Sequence, residues 1–263
     1  MKQFGFFRVA SAIPGVKVAE CSYNAQQIEK LIKQADAAGA EVIVFPELSI
    51  TGYSCMDLFA TQTIKEQSSK QLQYLLDATS DSNIISIVGI PVYAWNRIFN
   101  CAAVICRGNI LGLAVKSNIP NHNDLQELRW FSPASELEGS TVNICGQEVF
   151  IGNNLIFNIA GGQGVKFAVE ICEDLWAPVP VGSIHATNGA QVIFNLSASS
   201  EAIEKHKYLL SLLKSHSAKT VSGYVYSSAG FGESTTDLVF AGDAIIAENG
   251  KIISQSERFS IEE

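Results

Sequence analysis

Charge is sparse in this chain, and positive charge is the sparser kind: 18 lysines and arginines stand against 26 aspartates and glutamates in 263 residues, a net charge of −8. No run of basic residues occurs anywhere, which argues against nucleic acid or an anionic membrane surface as the main partner. Long hydrophobic runs are missing too. The N-terminus has one lysine and then the stretch from Phe4 to Pro14, too short and too interrupted for a secretory signal or a membrane span. The six cysteines (Cys21, Cys55, Cys101, Cys106, Cys145, Cys172) are scattered, and no pair has the CxxC spacing of a zinc or redox site. Reduced thiols in a cytoplasmic protein are therefore expected. The four histidines (His122, His185, His206, His216) have no ligand spacing, so no metal is expected. No Pro/Ser-rich linker or charge run divides the chain, which reads as a single domain over residues 1–263.

What is present is apolar material, 47% of the chain, arranged in strand-length runs and helical periods. Phe6 to Ile13 reads as a strand ending at Pro14. Asn24 is expected to cap a helix with Ile28, Leu31, Ile32, Ala35 and Ala38 on one face, closed by Gly39. Glu41 to Phe45 follows as a buried strand, and a second helix runs from about Thr61 to Leu76. Strands are expected over 83–91, 97–106 and 110–116, the last two joined by a turn at Gly108-Asn109. Residues 117–133 have no long period and read as a loop long enough to be functional. Strands resume over 141–144, 148–151, 155–159 and 165–171, with Gly161-Gly162 turning the last pair. A helix over 181–188, a strand over 191–196, a helix over 201–221 and strands over 224–227 and 238–248 complete the run. Asn249-Gly250 signals a hairpin into 251–254. The stretch Gly39 to Ser49 is echoed by Gly189 to Ser197, each preceded by a helix. Two such halves suggest an α/β fold with two mixed sheets and helices outside.

Three chemically capable residues fall at strand ends, where α/β sheets bind ligands. Glu47 follows one apolar strand, Lys116 ends another, and Cys172 ends the third, Val165 to Ile171. A thiol attacking a carbonyl needs a base for its proton and then an acid for the leaving group, and a carboxylate whose pKa is raised by burial serves both needs. Lys116 and the backbone N–H after Cys172 suit a developing oxyanion. Each has a plainer reading: Cys172 as a small buried hydrophobe, Glu47 as a helix cap, Lys116 as a snorkelling side chain. Spacing alone does not make the three converge, so these residues by themselves point to a cysteine hydrolase and stop there.

The segments Phe45-Pro46-Glu47-Leu48, Lys116 with Pro120, and Glu170-Ile171-Cys172-Glu173-Asp174 resemble the three signatures of the nitrilase superfamily. That resemblance implies a Glu–Lys–Cys triad of Glu47, Lys116 and Cys172 on a four-layer αββα sandwich. Longer blocks, Glu47 to Phe59, Cys172 to Trp176, Asn195 to Ser199 and Gly230 to Phe240, resemble the glutaminase domains of glutamine-dependent NAD synthetases. The resemblance implies hydrolysis of the L-glutamine side-chain amide through a thioester, with the ammonia passed to a synthetase domain. It further implies Glu127 as a second carboxylate beside the triad, Tyr53, Ser199 and Lys205 as the lining of the glutamine site, and a homo-oligomer. Glu127 reads otherwise as a solvated loop charge, Ser199 as a helix cap, Lys205 as a surface charge and Tyr53 as core. His122 stands where those relatives usually carry tyrosine. No Ser-Gly-Gly-x-Asp-Ser loop is present, so ATP and deamido-NAD are expected only on a synthetase domain outside this sequence. A free-standing nitrilase-type amidase acting on another small amide or carbamoyl compound, and a catalytically idle domain, are the competing expectations.

Overall fold

The first strands are short, and Val42–Val44 is apolar at every position and buried on both faces, which places it inside a layered core. In the computed structural model, which describes residues 6–122, 125–159 and 164–261, β1 (Val9–Ser11) is followed by helix α1 (Cys21–Ala37), β2 (Val42–Val44), α2 (Gln62–Ala78) and the long antiparallel run β3 (Ile85–Ala94), β4 (Arg97–Cys106) and β5 (Asn109–Val115). A two-stranded ribbon, β6 (Asn121–His122) with β7 (Leu125–Gln126), leads to the hairpin β8 (Thr141–Ile144) and β9 (Gln147–Gly152). These form a seven-stranded sheet in the order β1-β2-β3-β4-β5-β9-β8, apart from the separate ribbon. The second half contributes β10 (Ile156–Asn158), β11 (Lys166–Ile171), α3 (Glu173–Trp176), α4 (Val181–Thr187), β12 (Val192–Ser197), α5 (Lys205–Thr220), β13 (Gly223–Ser228), β14 (Ala244–Glu248) and β15 (Lys251–Gln255). Their six strands pair in chain order.

Successive strand side chains point to opposite faces. Val42 and Val44 of β2 therefore meet Phe167, Val169 and Ile171 of β11 and Phe194 and Leu196 of β12 in a dry layer between the sheets. Ile43 and Phe45 face the other way, onto Ile28, Ile32, Leu72 and Leu75 of α1 and α2. On the far side, Leu209 and Leu213 of α5 cover Ile193, Tyr224 and Ile245. The result is the expected αββα sandwich of two mixed sheets. The echoed segments occupy equivalent places: β2 and β12 each lie between two parallel neighbours, and Glu47 N donates to Ser197 O at 3.2 Å where they meet.

Several local expectations shift. Asn24 does not cap α1, which begins three residues earlier. Instead it is buried, its amide donating to Lys17 O and Ile50 O at 3.0 Å each, and it ties the helix to the turn after β2. Gly39 ends that helix as expected, with φ 77°. The β4–β5 turn falls on Arg107-Gly108, both at positive φ, one residue before the expected pair, whereas Asn249-Gly250 turns β14 into β15 as expected. The helix expected from Glu201 starts at Lys205, and the strand expected from Leu238 starts at Ala244. The expected Gly161-Gly162 turn lies outside the described residues. Residues 117–133 carry the ribbon and a 3-10 turn at Glu127–Arg129. Arg129 and Trp130 both bond Asp57, fastening this segment to the 3-10 stretch Tyr53–Ala60. Among the described residues no helix is long and apolar enough to cross a membrane.

Candidate active site

Glu47 and Lys116 come from the first sheet and Cys172 from the second. Lys116 directly follows β5 and Glu47 lies three residues beyond β2, and both are essentially without solvent exposure. Lys116 Nζ donates to Glu47 Oε1 at 2.6 Å and to both Glu127 oxygens at 2.8 Å. Asn100, in the middle of β4, donates to the same Glu47 oxygen at 2.6 Å, leaving Glu47 Oε2 buried without a partner. Cys172 is the first residue past β11, and its N–H donates to Leu196 O at 2.8 Å. Its φ of 45° and ψ of −98° turn the chain sharply into α3. A non-glycine residue holds such a conformation only where its surroundings enforce it.

The electrostatics follow from two carboxylates sharing one ammonium in a dry place. Burial raises the Glu47 carboxyl to about 7, with the Lys116 ammonium opposing and the Glu127 charge reinforcing. A glutamate poised there accepts a proton and returns it near neutral pH. Burial also tends to strip the Lys116 proton, but the Glu127 and Glu47 carboxylates outweigh it and hold the amine firmly protonated. The Cys172 thiol is pushed up by burial and by Glu47, with Lys116 pulling the other way. The resting group is thus a thiol, and it becomes a nucleophile only when a base takes its proton.

Cys172 is 7% exposed and opens onto a cavity of about 500 Å³. Tyr53, Glu127, Ser199 and Lys205 line the same cavity, together with His122, Glu173, Trp176 and Asp237. Glu127 is no solvated charge: it is 2% exposed, and the Tyr53 hydroxyl donates to it at 2.8 Å. Ser199 does not cap α5, which begins after Glu204, and its N–H donates to Ser228 Oγ at 3.1 Å. Lys205 Nζ donates to Ser200 O at 2.7 Å and lies over the Trp176 ring at 5.6 Å. His122 faces Glu173 at 3.5 Å across the mouth. The structure therefore gathers all seven expected residues at one place, Glu47 and Lys116 behind the cavity and the other five on its wall. Among the described residues no group of His, Cys, Asp and Glu is placed to hold a metal.

Three further residues escaped the sequence reading. Asn100 sits mid-strand with nothing to distinguish it from a strand polar residue. Glu233 is buried, and its carboxylate accepts from Tyr53 N at 2.7 Å and Ser54 N at 3.0 Å, fixing the residue that holds Glu127. Its only signal was membership of the block Gly230 to Phe240. Asp174 is buried two residues after Cys172 and accepts backbone N–H groups from the end of β11 and from the segment that leaves β5; its signal was the acidic pair after the cysteine.

A cysteine, a buried glutamate and a buried lysine on facing strand ends of an αββα sandwich define a class, and the family comparison agrees: the carbon-nitrogen hydrolase family matches residues 8–262, and the chain belongs to it. Its relatives narrow the resemblance. The glutamine-dependent NAD(+) synthetase of Mycobacterium tuberculosis is 36% identical over 257 residues, 98% of this chain and 38% of that protein. The crystal structure of a glutamine-dependent NAD(+) synthetase from Cytophaga hutchinsonii superposes with a TM-score of 0.85 at 26% identity, covering 97% of this chain and 41% of that one. An amidase of the nitrilase superfamily from Nesterenkonia shares the fold, with a TM-score of 0.77 at 18% identity over 95% of this chain and 86% of its own. The chain thus spans well under half the length of the synthetases it matches.

Proposed function

We propose that the chain hydrolyses the side-chain amide of L-glutamine through a thioester on Cys172 and supplies the ammonia to a synthetase domain that amidates deamido-NAD. The observation that carries this reading is the Lys116 ammonium held between Glu47 and Glu127 behind the Cys172 cavity. Glu47 takes the thiol proton as sulfur attacks the amide carbon. Lys116, with the backbone N–H that follows Cys172, steadies the oxyanion; losing one such donor costs about a hundred- to a thousandfold in rate. Glu47 returns the proton to the leaving nitrogen, ammonia departs, and Glu47 then activates the water that releases glutamate and restores the thiol. Glu127 accepts from both Lys116 and Tyr53, which keeps the ammonium aimed and charged. Tyr53, Ser199 and Lys205 hold the substrate by their positions on the cavity wall. The names of the relatives over 98% of this chain favour glutamine over other amides.

This stretch needs no cofactor of its own in such a scheme; ATP and deamido-NAD belong to the synthetase portion. Copies associate through the outer helices, where Ile184 of α4 and Tyr208 of α5 are exposed, and the protein works in the cytoplasm. Release of ammonia and glutamate from L-glutamine, compared between the native protein and Cys172→Ala, tests the assignment. Loss of turnover in the alanine variant is expected. Turnover that survives it, or that strongly prefers another small amide, overturns the glutaminase reading, and the second result selects the free-standing amidase.

A further inference from the structure

Lys116 and Cys172 belong to different sheets. β5 and β11 share no strand ladder, so the hydrogen bonding of neither sheet fixes how far the ammonium stands from the sulfur. A single side chain reaches both strand ends. Asp174 Oδ1 accepts from Asn118 N at 2.8 Å, Asn118 Nδ2 at 2.9 Å and Ser117 N at 3.1 Å, while Oδ2 accepts from Ile171 N at 3.1 Å. Ser117 is the residue after the lysine, and Ile171 is the residue before the cysteine. The carboxylate is 1% exposed, so these bonds meet no competition from solvent. Bonds from N–H groups to an ionised carboxylate are short and stronger than neutral ones.

We propose that Asp174 is a positioning residue, a clamp across the two sheets that sets the Lys116–Cys172 geometry and holds the Cys172 turn in its left-handed conformation. Two features call for such a device. Cys172 sits at φ 45°, a conformation that relaxes unless its flanking peptides are held, and the Ile171–Asp174 bond closes that turn from the inside. On the other side, residues 117 and 118 leave β5 for the segment that carries His122 and Glu127, and the Asp174 bonds fix that exit. Asp174 is not among the residues that line the cavity. It acts on the chemistry through the two backbones.

The kinetic half of the test rests on the glutaminase reading; the chemical half does not. In the full-length protein, Asp174→Asn keeps the shape but turns an N–H donor toward N–H donors. It is expected to lower kcat about 10- to 100-fold with KM within about threefold, because misplacement of reacting groups by an ångström has that effect. It should also slow alkylation of Cys172 by iodoacetamide at pH 7.5 by about tenfold, since fewer molecules hold thiol and base in register. Both losses should appear while the circular dichroism spectrum stays native. A folded variant whose alkylation rate and kcat stay within twofold of native overturns the clamp. Asn118→Ala removes only the side-chain donor and is expected to slow alkylation about two- to fivefold. If Asp174→Asn does not fold and a folded Asn118→Ala alkylates at the native rate, Asp174 is merely structural and the proposal fails. Should the native protein alkylate at Cys172 yet release no ammonia from glutamine, the proposed reaction falls while the alkylation comparison still decides the clamp.

Discussion

Replacing Glu127 with glutamine removes one of the two negative charges that share the Lys116 ammonium while keeping the side chain's shape. Both carboxylates lie within 2.8 Å of the same nitrogen, so their charges stand about 5 Å apart, and at an effective dielectric of about 20 their repulsion is about 3 kcal/mol, or about 2 pKa units. Burial is the main cause that holds Glu47 at about 7, Lys116 opposes it, and that repulsion adds to it. The base works only when deprotonated, so kcat/KM of the native protein should fall about tenfold per pH unit below about 7. Without the Glu127 charge, the carboxyl and the thiol both become easier to ionise, and the acid limb of the profile should move down by about 1–2 units. The plateau should drop as well, because a weaker base drives proton transfer less and Lys116 loses an ionic anchor. The assay is glutamine turnover and, separately, Cys172 alkylation across pH 5–9. An acid limb that stays put, or moves up, refutes the shared-ammonium account of the site.

Gly89 lies under the Glu47 turn, and a Cβ there would stand 2.2 Å from Leu48 N and 2.6 Å from Pro46 O, both backbone atoms. Gly89→Ala should therefore cost about 3 kcal/mol or more, read as a lowered urea midpoint, and an unchanged midpoint contradicts the close approach. Glu233→Gln removes a carboxylate acceptor from two part-buried N–H groups, those of Tyr53 and Ser54, and should destabilise by about 1–2 kcal/mol. It should also raise KM by loosening Tyr53; unchanged stability and KM together would show that the 230–240 loop does not brace the cavity. Burial raises Glu170 to about 7, against the Tyr224 hydroxyl that donates to it. A folded-state pKa above the unfolded value makes this acid favour folding at low pH, so its contribution is lost between about pH 4.5 and 7. Glu170→Gln, measured by denaturant unfolding, should gain stability relative to the native protein as pH rises through that window. His216 is held down to about 4 by burial, so the opposite sign applies: its contribution is lost as pH falls from about 6.5 to 4, and His216→Phe should flatten that acid descent.

Much of the layered core was legible in sequence because strand alternation and helical period are local signals. Val42 and Val44 against Ile43 and Phe45 already name two faces, and Gly39 and Asn249-Gly250 mark their turns through backbone freedom alone. The corrections come from distant partners. Asn24 looked like a cap because its residue type favours that role. Its bonds to Lys17 and Ile50 instead placed it inside the helix, and nothing in its neighbourhood announces a partner 26 residues away. The 117–133 segment looked irregular since its order comes from Asp57 binding Arg129 and Trp130, not from its own period.

The sequence by itself determined two mixed sheets with helices outside and which residue types stood at the strand ends, because both are written in hydrophobic spacing along the chain. The four-layer αββα order came from the resemblance carried by its motif blocks. Only the tertiary structure decided that Glu127 is buried, that Asn100 and Lys116 meet on one Glu47 oxygen, and that Asp174 and Glu233 brace the site from beside and behind. Those are contacts between strands and loops far apart in the chain. Which groups share a dry pocket, and hence which protons are tightly or loosely held, is fixed by how the two sheets stack.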